Sequence, residues 1–484
     1  MQPTAIQRIV GLLLMVFSTT MLPPALVSWL YADGAGRPFL LGFGLTLVTG
    51  LLLWLPARRV RKELRLRDGF VVVVMFWAVL GLSGALPFAL ADNPHMSIVD
   101  AVFESISGLT TTGATVITHI EGLPPSILWY RQQLQWLGGM GIIVLAVAIM
   151  PMLGIGGMQL YRAETPGPMK DTKLTPRITE TAKALWYLYL GLTVACAVAY
   201  WVAGMGVFDA IGHSFSTVAI GGFSTHDASM GYFRTMPAVE VIAIVFMFLS
   251  GINFALHFVA WRRFSLRAYL ADAEFKTYAT VLGAVAVLTS GFLYLSETFP
   301  SAGRALLHGV FQAVSIGTTT GFTTADYAAW PSFLPVLLLF SSFIGGCAGS
   351  TGGGMKVIRF LLLLKQGMRE IQRLVHPSAI IPIRVGHKPM SYRVIDAVWG
   401  FFATYVAVFA IMLLVLMLTG LDQVSAFSAV AACLNNLGPG LGEVGPHYAG
   451  LSDFAKALLC FAMLLGRLEI FTLLVLLTPA FWRR

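Results

Sequence analysis

Long apolar runs alternate with short amphipathic stretches along nearly the whole chain. A helix needs about 20 apolar residues to cross a bilayer. Runs of that length predict ten spans, at 8–31, 37–56, 69–91, 126–151, 181–204, 236–260, 276–299, 332–364, 394–420 and 452–481. The pattern therefore predicts an all-α membrane protein with ten transmembrane helices.

Four shorter stretches lie between these runs, at about 98–110, 207–219, 304–317 and 424–436. At 1.5 Å per residue each forms a helix of only about 20 Å, which is too short for a hydrocarbon core of about 30 Å. We therefore expect four re-entrant pore helices. After two leading spans, the order span, pore helix, span occurs four times, which predicts four fused units around one pore.

A phrase containing a glycine follows each short stretch, and the four glycines stand 109, 99 and 117 residues apart. Stripping water from a cation inside a membrane requires replacement oxygens, and a ring of backbone carbonyls supplies them. Glycine permits the unusual backbone angles that such a strand needs, and irregular backbone at this depth must line a cavity. The predicted filter residues are Thr111, Thr112, Gly113, Ile220, Gly221, Gly222, Thr319, Thr320, Gly321, Asn436, Leu437 and Gly438.

One such phrase alone is typical of an ordinary loop, whereas four at matching positions in matching units favour a filter. The strands are chemically unequal, because the fourth, Asn435-Asn436-Leu437-Gly438, lacks the threonines of the first and third. Fewer fixed carbonyl layers predict a looser discrimination between similar cations than in a symmetric filter.

Composition and charge narrow the class of protein. The chain is 57% hydrophobic and 11% charged, whereas a soluble domain carries about 25% charged residues. Of the 32 Lys and Arg residues, 26 lie at the termini or in alternate links. The positive-inside rule then puts both termini in the cytoplasm and the four pore helices on the outer side. The spread of basic residues over all inner links argues against nucleic-acid binding.

The sequence contains no pattern that is typical of a metal site or of a catalytic site. The four cysteines are isolated in apolar stretches, and no Cys or His spacing fits a metal site. No cluster of His, Asp or Glu converges at one membrane face. We therefore expect that no cofactor is bound covalently, that an ion is the transported species, and that the protein is not an enzyme.

A glycine-rich stretch interrupts the run 332–364, which is too long for one span. Six glycines in ten positions oppose a helix, since each costs about 1 kcal/mol relative to alanine. The stretch predicts a broken helix whose loop gates the inner mouth of the pore. A purely structural hinge stays open as an alternative, and a phosphate loop is excluded because GxxxxGK[ST] is absent. The predicted gate residues are Gly345, Gly346, Gly349, Ser350, Thr351, Gly352, Gly353 and Gly354.

Arg467 places a charge inside the last predicted span, where it costs at least about 2.5–3.5 kcal/mol. It either belongs to the gate or forms a static ion pair, with Glu469 or Glu104 as candidate partners. Glu104 itself is interpreted as a hydrogen-bonding strut behind the filter. The second spans of the units share a small-residue position that indicates either close helix packing or a surface at the pore axis. These positions are Gly138-Gly139, Ser250-Gly251, Gly345-Gly346 and Gly466-Arg467.

Several of these stretches resemble the Trk/Ktr/HKT superfamily of potassium transporters, closest to its bacterial TrkH-type membrane subunits, which have two extra leading spans. Besides the filter phrases, the resemblance rests on Gly138-Gly139-Met140-Gly141-Ile142, on residues 156–164, on His213-Ser214-Phe215-Ser216-Thr217 and on 349–354. It implies potassium uptake across the bacterial inner membrane, a homodimer surrounded by lipid, and a cytoplasmic TrkA-type nucleotide-binding regulatory subunit. It also places Arg467 near the gating loop.

The expected organisation is two extra spans in 1–67 and pore units in 68–160, 161–263, 264–375 and 376–484. The basic segment 365–393 either docks the regulator or simply follows the positive-inside rule. The alternative class is a secondary transporter that couples potassium to protons or sodium. Such folds usually have inverted or two-fold repeats. Four units in one orientation favour a channel-like pore.

Overall fold

The computed structural model describes residues 1–60, 65–144, 178–386 and 388–483, and nearly all of this part is helical or connects helices. Three predicted features lie outside it. They are the family-like motif 156–164, the end of the span predicted at 126–151, and the boundary between units 1 and 2 at residue 160.

The described helices lie mostly within the apolar runs and short stretches from which the spans and pore helices are predicted. They are α1 (Pro3–Ser18), α2 (Leu22–Tyr31), α3 (Gly36–Ala57), α4 (Leu66–Gly84), α5 (Leu86–Leu90), α6 (Ile98–Leu109), α7 (Pro125–Val144), α8 (Ile178–Val202), α9 (Val207–Ala219), α10 (Pro237–Ser250), α11 (Phe254–Arg263), α12 (Arg267–Ala271), α13 (Ala273–Leu295), α14 (Ala302–Gly317), α15 (Phe333–Ile344), α16 (Val357–Val375), α17 (Tyr392–Leu418), α18 (Gln423–Leu434), α19 (Asp453–Arg467), α20 (Phe471–Leu477) and α21 (Pro479–Trp482). Short 3₁₀ turns lie at 19–21, 229–233, 327–329 and 442–444, and one two-residue hairpin pairs Arg384–Val385 with Lys388–Pro389.

Six stretches among the described residues are long and apolar enough to cross a membrane, and two bent helix pairs raise that number to eight. The eighth predicted span has the expected break, because α15 and α16 are separated by the glycine-rich stretch. The described helices therefore form a multi-pass membrane protein.

Two predicted spans differ from expectation because they bend sharply instead of running straight. α10 and α11 meet at 94°, and α19 and α20 meet at 118°. At the first bend the Asn253 side chain accepts the N–H of Ala255 at 2.8 Å and starts a new helix. At the second, Glu469 and Ile470 have positive φ angles of 53° and 58°, which an α-helix does not tolerate.

The four short stretches form α6, α9, α14 and α18, helices of 12, 13, 16 and 12 residues. Three of them begin at a side-chain cap, Ser97, Ser301 or Asp422, which accepts a backbone N–H of the first turn. Hydrogen bonds from the side chain and the backbone of Ser425 also hold the pKa of Asp422 below its usual value. The carboxyl-terminal halves of all four helices are buried, so the chain that follows each of them starts in the centre of the molecule.

The hydrophobic cores cross the boundaries between the predicted units. One core joins Phe103 of unit 1 to Tyr448 and Leu459 of unit 4. A second joins α7 to α9 and reaches Phe311 of unit 3, and a third joins Leu338 of unit 3 to Ala431 of unit 4. The units therefore share cores and stabilise one another.

Candidate ion filter and loop

The four glycine phrases follow the same backbone path. The residue two before each glycine has a positive φ although it is not glycine, and the glycine itself has a positive φ. The angles are 54°, 56°, 70° and 54° at Thr111, Ile220, Thr319 and Asn436, and 83°, 80°, 83° and 99° at Gly113, Gly222, Gly321 and Gly438. A non-glycine residue in this region costs of order 1–3 kcal/mol. Its recurrence in three residue types indicates that the surroundings impose the shape.

The backbone N–H groups of these strands are tied to their own helices. In each strand the residue before the glycine donates its N–H to a carbonyl five residues back. The pairs are Thr112 to Ser107 at 2.9 Å, Gly221 to Ser216 at 2.8 Å, Thr320 to Ser315 at 2.7 Å and Leu437 to Ala432 at 2.7 Å. Because the donors are satisfied inside the helix, the strands present carbonyl oxygens for other partners.

The strands close a ring in chain order. A Cβ atom on any of the four glycines would overlap a carbonyl oxygen of the neighbouring strand. Gly113 meets Gly221 O, Gly222 meets Thr320 O, Gly321 meets Leu437 O, and Gly438 returns to Thr112 O. Each contact goes to the next unit and the last returns to the first. Close approach of four strands therefore requires glycine at each of these positions.

The glycine-rich stretch between α15 and α16 lies against the start of these strands. Thr351 donates its hydroxyl to the carbonyl of Val218, at the end of α9, at 3.0 Å. The N–H of Gly353 donates to Thr319 Oγ1 at 2.7 Å, and the N–H of Gly354 donates to Asn435 O at 3.0 Å. The stretch thus contacts units 2, 3 and 4 at the helix ends from which the strands depart.

A single carboxylate connects the first half of this stretch to the start of α16. Glu274, in the first turn of α13, accepts the N–H of Ala348 at 2.7 Å and that of Ile358 at 3.2 Å through the same oxygen. The buried Lys356 donates its ammonium to the carbonyl of Gly352. A cavity of about 30 Å³ beside the stretch is lined by Trp77, Arg467 and Glu469 among others. By volume it holds about two water molecules.

The comparisons with known proteins decide the family. A family model described as a cation transport protein, TrkH, matches residues 35–484. The chain belongs to the TrkH family. The Trk system potassium uptake protein TrkH of Vibrio parahaemolyticus is 61% identical over 100% of both chains. Its counterpart in Escherichia coli K12 is 56% identical over 99% of each chain, and TrkG of the same strain is 43% identical over 98% of this chain and 97% of TrkG.

A solved structure agrees with this assignment. The crystal structure of the potassium transporter TrkH from Vibrio parahaemolyticus matches with a TM-score of 0.92 at 58% identity, covering 100% of both chains. The resemblance predicted from the sequence is confirmed. Because the TrkH family consists of cation transport proteins, the expectation that the chain is not an enzyme is confirmed as well.

Arg467 ends α19 and connects unit 1 to the loop. Its guanidinium donates to Gly138 O at 2.7 Å, to Thr351 O at 3.3 Å and to Thr111 Oγ1 at 3.4 Å. It also lies over the ring of Trp77, with the guanidinium carbon 5.1 Å from the ring centre. These contacts join the fourth unit to the start of the first strand and to the middle of the glycine-rich stretch.

The two carboxylates considered as ion-pair partners of Arg467 pair with other arginines. Glu469 contacts Arg359 of α16, and Glu104 contacts Arg131 at 2.8 Å. Glu104 also accepts the Thr115 hydroxyl at 3.0 Å and the N–H of Val116 at 3.1 Å. Buried behind the first strand, it holds the segment that follows the strand, as the strut interpretation expects.

The small-residue positions of the second spans serve close packing at two places. A Cβ on Gly138 would overlap the carbonyl of Leu109 at the end of α6, and a Cβ on Gly466 would overlap that of Leu434 at the end of α18. Each second span of units 1 and 4 therefore packs directly on the end of its own short helix.

Sequence reasoning missed a polar row on α7. Arg131 donates to the carbonyl of Ser224 at 3.1 Å, and Gln132 donates to that of Phe223 at 3.1 Å. Gln135 donates to the carbonyl of Gly221 at 2.6 Å. The available signal was the run Arg131-Gln132-Gln133-Leu134-Gln135 inside a predicted span, because polar side chains at that depth are costly and usually functional.

Proposed function

We propose that the chain takes up potassium across the bacterial inner membrane through one channel-like pore. The strands around Gly113, Gly222, Gly321 and Gly438 form its selectivity filter, and the transported ion is coordinated there by backbone carbonyls. The observation that carries this proposal is the ring of glycine-to-carbonyl contacts, in which each strand touches the next and the fourth touches the first. The names of the relatives, potassium uptake proteins, support the choice of cation.

The gate of this pore is the loop 345–354 together with Arg467. Two observations support a barrier on the inner side of the filter. The loop contacts strand starts or helix ends in units 2, 3 and 4, and Arg467 adds unit 1. Arg467 also lines the cavity beside the loop, so its positive charge lies next to the loop.

The orientation, the oligomeric state and the regulation that we propose are based on the resemblance to the family. We propose four pore units with the bounds predicted from the sequence, both termini in the cytoplasm, a homodimer in lipid, and control by a cytoplasmic TrkA-type nucleotide-binding subunit. The break before α16 offers a route for that control, since α16 starts at the end of the loop and continues to Val375. A displacement of α16 by the regulator would pull directly on the gate.

Replacement of a filter glycine tests the proposal. Gly113→Ser or Gly321→Ser introduces a Cβ that overlaps a neighbouring carbonyl, at a φ of 83° in both cases. We expect the potassium-to-sodium uptake ratio to fall about tenfold, as a distortion of 1.4 kcal/mol in one ion's binding would give. The control is Gly283→Ser, where a Cβ has no neighbour within 4 Å. An unchanged ratio in both filter variants, measured as competing cation uptake, removes the filter assignment.

A further inference from the structure

The four strands of the ring fall into two chemically different pairs. Since the ring follows chain order, strands 1 and 3 are opposite each other, as are strands 2 and 4. In strand 1 the hydroxyls of Thr110 and Thr112 hydrogen-bond at 2.8 Å. In strand 3 those of Thr318 and Thr320 do the same at 2.8 Å. Strands 1 and 3 therefore carry their own side-chain support.

Strands 2 and 4 have no threonines at these positions and receive a donor from elsewhere. The Gln135 amide of α7 donates to the carbonyl of Gly221 at 2.6 Å. The Tyr448 hydroxyl donates to the carbonyl of Gly438 at 2.8 Å. Both acceptors are filter residues, so in this pair of strands a side chain binds a carbonyl oxygen of the ring itself.

Gln135 holds strand 2 with both ends of its amide. Its Oε1 accepts the N–H of Phe223 at 3.1 Å while its Nε2 donates to Gly221. The amide orientation is determined by these partners, because a carbonyl only accepts and an N–H only donates. The side chain is fully buried, and a Cβ on Gly221 would run into it. The close contact with Gln135 thus explains why position 221 is a glycine.

Tyr448 holds strand 4 from the boundary between units 4 and 1. Its backbone N–H donates to the carbonyl of Thr115, in unit 1, at 2.8 Å. Its ring lies against Phe103 of α6, with ring centres 5.5 Å apart. With the ring and the backbone both anchored in the first unit, the buried hydroxyl has little freedom to leave Gly438.

Such a donor changes the carbonyl as an ion ligand. It occupies one of the two lone pairs of the oxygen, draws charge away from the side that faces a cation, and restricts the strand. Discrimination between potassium and sodium depends on the number and the field strength of the coordinating carbonyls. Weaker and more firmly held oxygens disfavour the smaller ion, which gains most from a strong ligand at short distance.

We propose that Gln135 and Tyr448 are specificity-determining positioning residues of the filter, which set the field strength and position of one carbonyl in each of the two strands that lack threonines. This inference rests on the filter proposed above. The four strands are then stabilised in two different ways. Paired threonine hydroxyls stabilise strands 1 and 3, and donors that are distant in sequence stabilise strands 2 and 4.

The test is Tyr448→Phe, which removes one hydroxyl and keeps the ring. We expect the potassium-to-sodium uptake ratio of purified protein in liposomes to fall about two- to tenfold, the range that one ordinary hydrogen bond gives. Gln135→Leu removes two hydrogen bonds and should lower the ratio further. If that variant does not reach the membrane, Tyr448→Phe alone decides.

The matched control is Tyr130→Phe. Tyr130 is also fully buried, and its hydroxyl donates to a glycine carbonyl, that of Gly84, at 3.0 Å, outside the filter. A ratio that falls in Tyr448→Phe and not in Tyr130→Phe supports the inference. Equal ratios in the two variants overturn it, whether both fall or neither does. If Gly113→Ser or Gly321→Ser lowers the ratio in the same assay, the filter stands despite that result; if neither does, the filter fails as well.

Discussion

At the scale of single residues, the buried charges tie the units together. Arg131 and Glu104 form an ion pair at 2.8 Å with exposed fractions of 1% and 0%. Arg131 also covers the ring of Phe223 at 4.2 Å and donates to Ser224 O, both in unit 2. One guanidinium therefore holds the first unit's strut and the second unit's strand in a fixed relation.

Breaking this pair from one side should destabilise the protein strongly. Arg131→Met leaves the Glu104 carboxylate buried without its main partner, which typically costs about 3–5 kcal/mol. We expect a large drop in the midpoint of heat-induced aggregation in detergent, partly restored by adding Glu104→Gln. The control Arg373→Met removes one partner of a half-exposed pair and should cost at most about 1 kcal/mol. Equal midpoints for the two single variants would contradict the structural role.

Arg467 presents a different case, because its charge lies beside the proposed ion path. Arg467→Gln keeps a polar side chain with an amide donor and removes the positive charge. We expect cation flux in the absence of any regulator to rise several-fold, since an electrostatic barrier of about 1 kcal/mol corresponds to a factor of about five. The measurement is rubidium uptake into liposomes that contain the purified variant.

The control for this prediction lies on the same helix. Lys456→Gln neutralises a buried charge that pairs with Asp100 at 2.6 Å, eleven residues before Arg467 and away from the loop. Its unregulated flux should equal that of the unaltered protein. Loss of the Arg467→Gln protein from the membrane, without increased flux, would indicate a structural role for this arginine.

At the residue scale, sequence analysis can identify positions that lie close together when those positions repeat. Gly113, Gly222, Gly321 and Gly438 share a place in four similar units, and the structure brings their strands together. Gln135 and Tyr448 have no such repeat, and Gln135 meets a strand 86 residues away. The sequence around Gln135 gives no indication of this long-range contact. Their contacts follow only from the packing of one unit against the next.

At the scale of elements, the glycine-rich stretch between α15 and α16 makes its own set of contacts with the surrounding helices and strands. Glu274 binds the N–H groups of Ala348 in the loop and of Ile358 in α16, and Gly353 and Gly354 reach the strands. Cys347, Ala348 and Met355 of the same stretch are buried in hydrophobic cores. The loop is therefore held by hydrogen bonds as well as by apolar contacts.

Deleting residues 348–353 tests this element. The deletion removes the contacts of Thr351 and Gly353 below the ring and keeps every residue of the proposed filter. We expect potassium flux to rise and to lose its dependence on the regulatory partner. The internal control is the potassium-to-sodium ratio, which should be retained because the ring is intact. Normal flux with normal dependence on the partner would show that the stretch is only a hinge.

The bent helices mark where element prediction from sequence failed. Asn253 and Glu469 are the polar residues of 251–253 and 468–470, and the apolar runs on both sides are long enough that the pattern still predicts straight spans. The first bend depends on a cap by Asn253, and the second on positive φ angles at Glu469 and Ile470. The broken eighth span was predictable by contrast, because its six glycines disfavour a helix regardless of tertiary contacts.

At the scale of the whole molecule, the features that the four predicted units share differ in role from those that occur in only one unit. The hydrophobic cores cross the boundaries of the predicted units, so the four predicted units stabilise one another. The features that occur in only one unit lie on the side of the ring that the loop occupies. Unit 3 contributes the loop and unit 4 contributes Arg467. We infer that one path runs through the ring and that a single loop closes it, without an alternating arrangement of two halves.

A pore of this kind should conduct passively. In liposomes that contain the purified chain, rubidium flux should follow the rubidium gradient in either direction, and collapsing the proton and sodium gradients should leave its rate unchanged. The physical reason is that four units in one orientation surround one filter, whereas coupled carriers move one repeat against another around a central site. The control is Gly113→Ser, which should alter the cation preference of this flux. Flux that ceases whenever both gradients are collapsed would instead establish an ion-coupled secondary transporter, and the ring would then be its binding site and not an open filter.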